Sequence, residues 1–116
     1  MKIKRDKLAE NYLERKPLRN GKLTWKRDND NKIVILIENK GIFNRVAQKL
    51  FKKPSVTYIH LDDMGSFIWP LIDGKRNIIE LGVLVDEHFG EKAKPLYERL
   101  AKFFQILEHY KFIKWD

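Results

Sequence analysis

The stretch Tyr58–Gly82, YIHLDDMGSFIWPLIDGKRNIIELG, decides how this chain is read. His60, Asp62 and Asp63 stand one step before an apolar, aromatic segment, either as a small reactive site or as the start signal of a helix. Beyond them Met64, Phe67, Ile68, Leu71 and Ile72 recur at the three-to-four spacing of an amphipathic helix. An aspartate directly before such a stripe accepts hydrogen bonds from the orphan amides of the first turn. A second acid there suits the helix dipole. A metal site would need three or four convergent ligands, and His60, His88 and His109 form no pair four residues apart. The motif is punctuation: Asp62 caps a helix and Asp63 lies in its first turn.

Working outward, Pro70 falls inside the stripe and is expected to bend or shorten its last turn, and Asp73-Gly74 stops it. Asn77 with Glu80 three residues on is a capping box that opens a second helix through Ile78, Leu81, Val85 and Phe89 to Gly90. A third helix starts near Pro95 and runs to about Tyr110, and Phe112 to Trp115 reads as extended. Upstream, Val56, Tyr58 and His60 alternate with Thr57, Ile59 and Leu61 as a strand. Leu23 and Trp25 alternate before the turn formers Asp28-Asn29-Asp30-Asn31, and Ile33 to Ile37 is unbroken apolar chain. This predicts a hairpin whose second strand is buried on both faces. Between the second and third strands, Ile42, Phe43, Val46, Ala47, Leu50 and Phe51 form a helical stripe with a basic outer face, closed by Pro54. Residues 1–21 read as an N-terminal extension, with an amphipathic turn or two over 7–13 ended by Pro17. Residues 22–116 read as one domain.

The totals bound the function. With 116 residues and 43% hydrophobic content the chain suits one packed domain, and without cysteine it has no disulfide or thiolate chemistry. The charged N-terminus resembles no secretory signal, and no run reaches the length of a membrane span, so a soluble, cytoplasmic protein is expected. Net charge is +8, and it is lopsided: residues 1–55 hold 16 Lys+Arg and 6 Asp+Glu, the remainder 8 and 10. The basic half is either a solvated face or an attractor of a polyanion or acidic peptide.

Catalysis is hard to assemble. Ser55 and Ser66 are the only serines and neither sits in a nucleophile elbow. The glycines are spaced for turns, not for a phosphate cradle. No enzyme, cofactor or metal is expected. Three helices with short strands are also compatible with a winged-helix DNA-binding regulator. The charge is misplaced for it: the second helix has no Lys or Arg, and the third carries Glu98 and Glu108 among aromatics and leucines. Nucleic acid is therefore the alternative, not the reading adopted.

The third helix carries more apolar surface than a core stripe needs. Leu96, Tyr97, Leu100, Phe103, Phe104, Ile106, Leu107 and Tyr110 cover close to half its circumference, with Arg99 and Lys102 along the edge of Phe103, Ile106 and Tyr110. Two readings stand: a helix buried on two sides, or an apolar groove with a basic rim.

Taken in order, hydrophobic-x-Leu61-Asp62, Ile72-Asp73-Gly74, Asn77-Ile78-Ile79-Glu80-Leu81 and the Phe112–Trp115 tail resemble the PqqD family over most of residues 22–115. The resemblance implies an α+β, winged-helix-like domain, a small antiparallel sheet followed by a three-helix bundle. It also implies a recognition element for ribosomally synthesised peptides. The precursor's leader would add as a strand along Val56, Thr57, Tyr58 and Ile59, in a groove walled by the last helix, and be presented to a modifying enzyme, commonly a radical SAM protein. Arg99, Lys102, Phe103 and Ile106 would meet the leader. The 39–54 insert, the long extension and Pro70 depart from the minimal pattern, so the quinone pathway and a related peptide-maturation system both remain open. A Thr57→Pro substitution is expected to remove an edge amide and abolish binding. Two further options are a subunit held to a larger enzyme without any peptide ligand, and a homodimer through the strand edge.

Overall fold

The computed structural model describes residues 12–38 and 56–116. Its strands are β1 (Pro17–Arg19), β2 (Thr24–Arg27), β3 (Ile33–Glu38), β4 (Val56–His60) and β5 (Ile113–Trp115). Its helices are α1 (Asp63–Ile68), α2 (Ile78–Phe89) and α3 (Leu96–His109), with 3-10 turns at Trp69–Leu71 and Gly90–Ala93. The fold is α+β: small antiparallel sheets and, among the described residues, three helices. The expected 42–51 helix lies outside the described residues, as do residues 1–11; Tyr12 and Leu13 are helical.

The chain divides into two units. The first joins the residues up to Asn20 to Asp63–Asp116. Its helices start and stop where the local chemistry directs. α1 begins directly after Asp62 and gives way at Trp69 to the 3-10 turn that contains Pro70. α2 opens on a complete capping box: the Glu80 amide donates to Asn77 Oδ1 (2.8 Å) and the Asn77 amide to Glu80 Oε1 (3.0 Å). Phe67 of α1 stacks on His88 (4.4 Å between centroids) and meets Phe89 edge-on, which ties α1 to the end of α2. α2 and α3 approach closely at Gly82, where a Cβ would lie 2.9 Å from Leu100 Cδ1 and 3.4 Å from Tyr97 Cε1. The core comprises Ile68, Trp69, Ile72, Ile78, Leu81, Val85, Leu100 and Phe104, all fully buried.

β1 is an element the sequence reading did not anticipate, because it placed these residues in the extension. It pairs antiparallel with β5, Leu18 opposite Lys114, and its other side meets the loop after α1 through a Leu18–Asp73 bridge and a bond from the Gly74 amide to the Pro17 carbonyl (2.9 Å). Gly74 is required there: its φ is +81°, and a Cβ would sit 3.3 Å from Leu18 Cδ1. At the end of β1 the Arg19 Nη1 donates to the carbonyls of Trp69 (3.2 Å), Pro70 (2.9 Å) and Ile72 (3.0 Å). These carbonyls lie at the end of α1 and its 3-10 extension, where helices leave carbonyls short of internal donors, although that of Trp69 also accepts from the Ile72 amide (3.2 Å). Arg19→Met keeps the aliphatic stem and removes the donors. The expected loss is about 1–3 kcal/mol, read as a lower urea midpoint at unchanged m-value.

The second unit, Gly21–Asp62, is the three-stranded sheet in the order β2-β3-β4, antiparallel throughout. The hairpin turn follows the run of turn formers. The Asp28 carboxylate accepts from the amides of Asp30 and Lys32 (both 2.9 Å), and Asn31 takes the left-handed conformation (φ 63°) that closes a three-residue loop. In β3, Ile33, Val34 and Ile35 are buried in succession, as expected for burial on both faces, while Leu36 and Ile37 are half-buried.

Both turn aspartates give the protein an acid-sensitive contribution. The Lys32 amide, joined by the Asp30 amide and the charges of His60 and Lys32, holds the Asp28 carboxyl below its usual value. The Lys75 amide and then Arg76 do the same for Asp73. A depressed folded-state pKa favours the folded chain once pH is above the unfolded value, about 3.9. That contribution is lost as pH falls through the folded-state value. Stability should therefore drop in acid below about pH 4, and Asp28→Asn with Asp73→Asn should flatten that part of the profile in thermal melts across pH.

Candidate functional site

β4 lies at one end of the three-stranded sheet, so one side of it pairs with β3 and the other is an edge among the described strands. The register fixes which backbone groups face that edge. The Leu61 amide donates to the Ile33 carbonyl opposite it (2.9 Å), so Leu61–Ile33 is a hydrogen-bonded pair. Antiparallel pairs alternate between bonded and non-bonded. Ile59 and Thr57 therefore turn their amides and carbonyls inward to Ile35 and Ile37, while His60, Tyr58 and Val56 turn theirs outward. The other side of β3 agrees: the Asp28 amide donates to the Lys32 carbonyl (2.8 Å), which makes Lys26–Val34 and Thr24–Leu36 the bonded pairs there.

This parity corrects the expectation for Thr57. Its amide points at β3, so Thr57→Pro would break the sheet itself rather than an outer edge. The edge amides belong to Val56, Tyr58 and His60. Of the residues assigned to the strand, Tyr58 is 52% exposed, Thr57 is exposed, and Val56 and Ile59 are half-buried.

Arg99, Lys102, Phe103 and Ile106 belong to α3, in the first unit. At 3.6 residues per turn they share one sector of the helix with Tyr110. Buried Leu100, Phe104 and Leu107 form the adjoining stripe. Exposure decides between the two readings of the apolar surplus: Ile106 is 47% and Tyr110 62% exposed, so this helix is not buried on two sides. Tyr97, nine residues from Ile106, projects on the opposite side of the helix, against Gly82. Lys102 is exposed, whereas Arg99 is half-buried and its Nη1 donates to the Lys92 carbonyl (2.8 Å). Part of its donor capacity is thus spent within the unit.

The family model for coenzyme PQQ synthesis protein D (PqqD) matches residues 34–113. The chain belongs to the PqqD family. This is the family of recognition elements for ribosomally synthesised, modified peptides. The PqqD match begins at Val34 in β3 and ends at Ile113 in β5, so it takes in β4 and all three described helices and leaves out β1 and β2. No curated protein and no solved structure matches the chain. Among the described residues, no group of three or more His, Asp or Glu is placed to hold a metal ion. No described helix is long and apolar enough to cross a membrane.

Two features of this region escaped the sequence reading. The outward turn of the Tyr58 and His60 backbone follows from the register with β3, which leaves no mark on composition. Lys26, on the far strand of the sheet, reaches across to the Tyr58 ring, its Nζ 5.9 Å from the centroid. Its position opposite Val34, itself opposite His60, is the signal that would have found it once the register was known.

Proposed function

We propose that this chain is a non-catalytic peptide-binding module in peptide maturation. It takes the leader of a ribosomally synthesised precursor as an added strand on β4 and presents the precursor to a modifying enzyme of the radical SAM class. One observation carries the reading: in a chain of the PqqD family, β4 is an edge among the described strands, with the backbone of Tyr58 and His60 turned outward. Such an edge gives affinity through main-chain hydrogen bonds, and alternate side chains give selectivity. The α3 sector of Lys102, Phe103 and Ile106, with Arg99 beside it, is proposed as a further leader contact, with its cations directed at acidic residues. PqqD-family proteins are accessory to an enzyme, and no cofactor is assigned to this one. Its work would be done in the cytoplasm, where precursor peptides are made. The pathway is that of the quinone cofactor or of a related modified peptide.

The test is retention of partners from lysate of the host cell by the tagged full-length chain, with mass spectrometry of everything held. A short peptide together with a peptide-modifying enzyme is the expected result. Nuclease-sensitive retention of DNA with no peptide would replace this reading with a winged-helix regulator.

A further inference from the structure

The face of the sheet that bears Tyr58, beside the β4 edge, carries a charge pattern that the strand-addition reading does not use. Side chains paired in register share a face, so Thr24, Leu36 and Tyr58 lie in one row, Lys26, Val34 and His60 in the next, and Glu38 and Val56 in the row on the other side. Lys26, Tyr58 and His60 are all exposed. The Lys26 ammonium lies over the Tyr58 ring, an arrangement that orients the cation while leaving its N–H groups available to an acceptor. The Asp28 carboxylate of the hairpin turn is engaged by the amides of Asp30 and Lys32.

An antiparallel strand added at this edge pairs one residue with both outward backbone groups of Tyr58, and a parallel one sets a residue opposite Tyr58 while that residue's two neighbours make the bonds. The side chain opposite Tyr58 then stands beside the exposed Tyr58 ring, on the same face. We infer that this position of the bound peptide is an acid, Asp or Glu, selected by Lys26 across the Tyr58 ring. The inference rests on strand addition at β4 and names the chemistry of the peptide that is added. A basic residue there would face Lys26. An acid on the same face beside Val56 would instead face Glu38. The preference is therefore confined to one end of the edge, and it sets the register of the peptide as well as its charge.

The experiment is selection of short random peptides displayed on phage against the full-length protein and against its Lys26→Glu variant, whose substitution is exposed and whose fold is checked by circular dichroism. Among peptides whose binding is lost in Tyr58→Pro, the native protein should enrich Asp or Glu at one position of an alternating pattern. Lys26→Glu should enrich Lys or Arg at that position. Exchanging the acid for its amide in a selected peptide should weaken binding up to about fivefold, the scale of an exposed ion pair, and this difference should shrink in high salt. Edge-dependent peptides with the same residues from both proteins would overturn the inference and leave strand addition standing. Recovery of no peptide sensitive to Tyr58→Pro would overturn both.

Discussion

Tyr58→Pro should abolish peptide binding while the protein stays folded. The substitution removes an amide that faces away from β3 and leaves the bonded pairs Ile59–Ile35 and Thr57–Ile37 in place. Proline is tolerated on an edge strand for this reason. For an added strand the loss is severe: one main-chain hydrogen bond disappears, a peptide carbonyl is left facing the ring, and the combined cost is about 2–4 kcal/mol, a weakening of roughly thirtyfold or more. Tyr58→Ala separates the side chain from the amide and should retain much of the affinity. Thr57→Pro is the structural contrast, because it removes a bond within the sheet and should lower stability first. Anisotropy titrations of a labelled leader peptide, beside urea melts of each variant, read all three. Native affinity in a folded Tyr58→Pro protein would rule out docking on β4.

Phe104→Ala should cost about 3–5 kcal/mol, as burying and then deleting a core aromatic does. Phe104 is fully buried on α3 and lies edge-on to Phe103, 5.3 Å between centroids. Against a total of about 5–15 kcal/mol for a domain of ordinary stability, much of the protein would be unfolded at warm temperatures. Two residues along the same helix, Ile106→Ala should change stability by about 0.5 kcal/mol or less, since nearly half of that side chain is already exposed. If the α3 sector contacts the leader, Ile106→Ala weakens binding without touching the melt. The pair of variants thus separates the stripe that holds the helix from the sector that is proposed to work.

What was legible in the sequence is what short-range chemistry controls. The Asn77–Glu80 capping box, the hairpin turn at Asp28–Asn31, the shortening of α1 at Pro70 and the glycine end of α2 each depend on groups within a few residues of one another. β1 was not legible. It is three residues long, starts on a proline, and has its partner near the other end of the chain, so neither alternation nor propensity marks it. The strand of the candidate site was recognised from its alternation, but alternation reports which face a side chain takes and nothing about which amides look outward. That parity depends on how β4 is registered on β3, and it moved the decisive edge amide from Thr57 to Tyr58. On α3 the apolar surplus was visible on the helical wheel, and its exposure emerged only with the packing of Leu100, Phe104 and Leu107.

The β1–β5 pair also sets an order of events in synthesis. The three-stranded unit is encoded as one continuous segment, Gly21–Asp62. The first unit draws on both ends of the sequence, and Pro17–Arg19 must wait for Ile113–Trp115, almost a full chain length later. Until then Arg19 has its carbonyl acceptors but β1 has no strand to pair with, and closing so long a loop is the slow kind of contact. A nascent or truncated chain lacking the last few residues would therefore leave Pro17–Arg19 without its strand partner and the first unit unlocked.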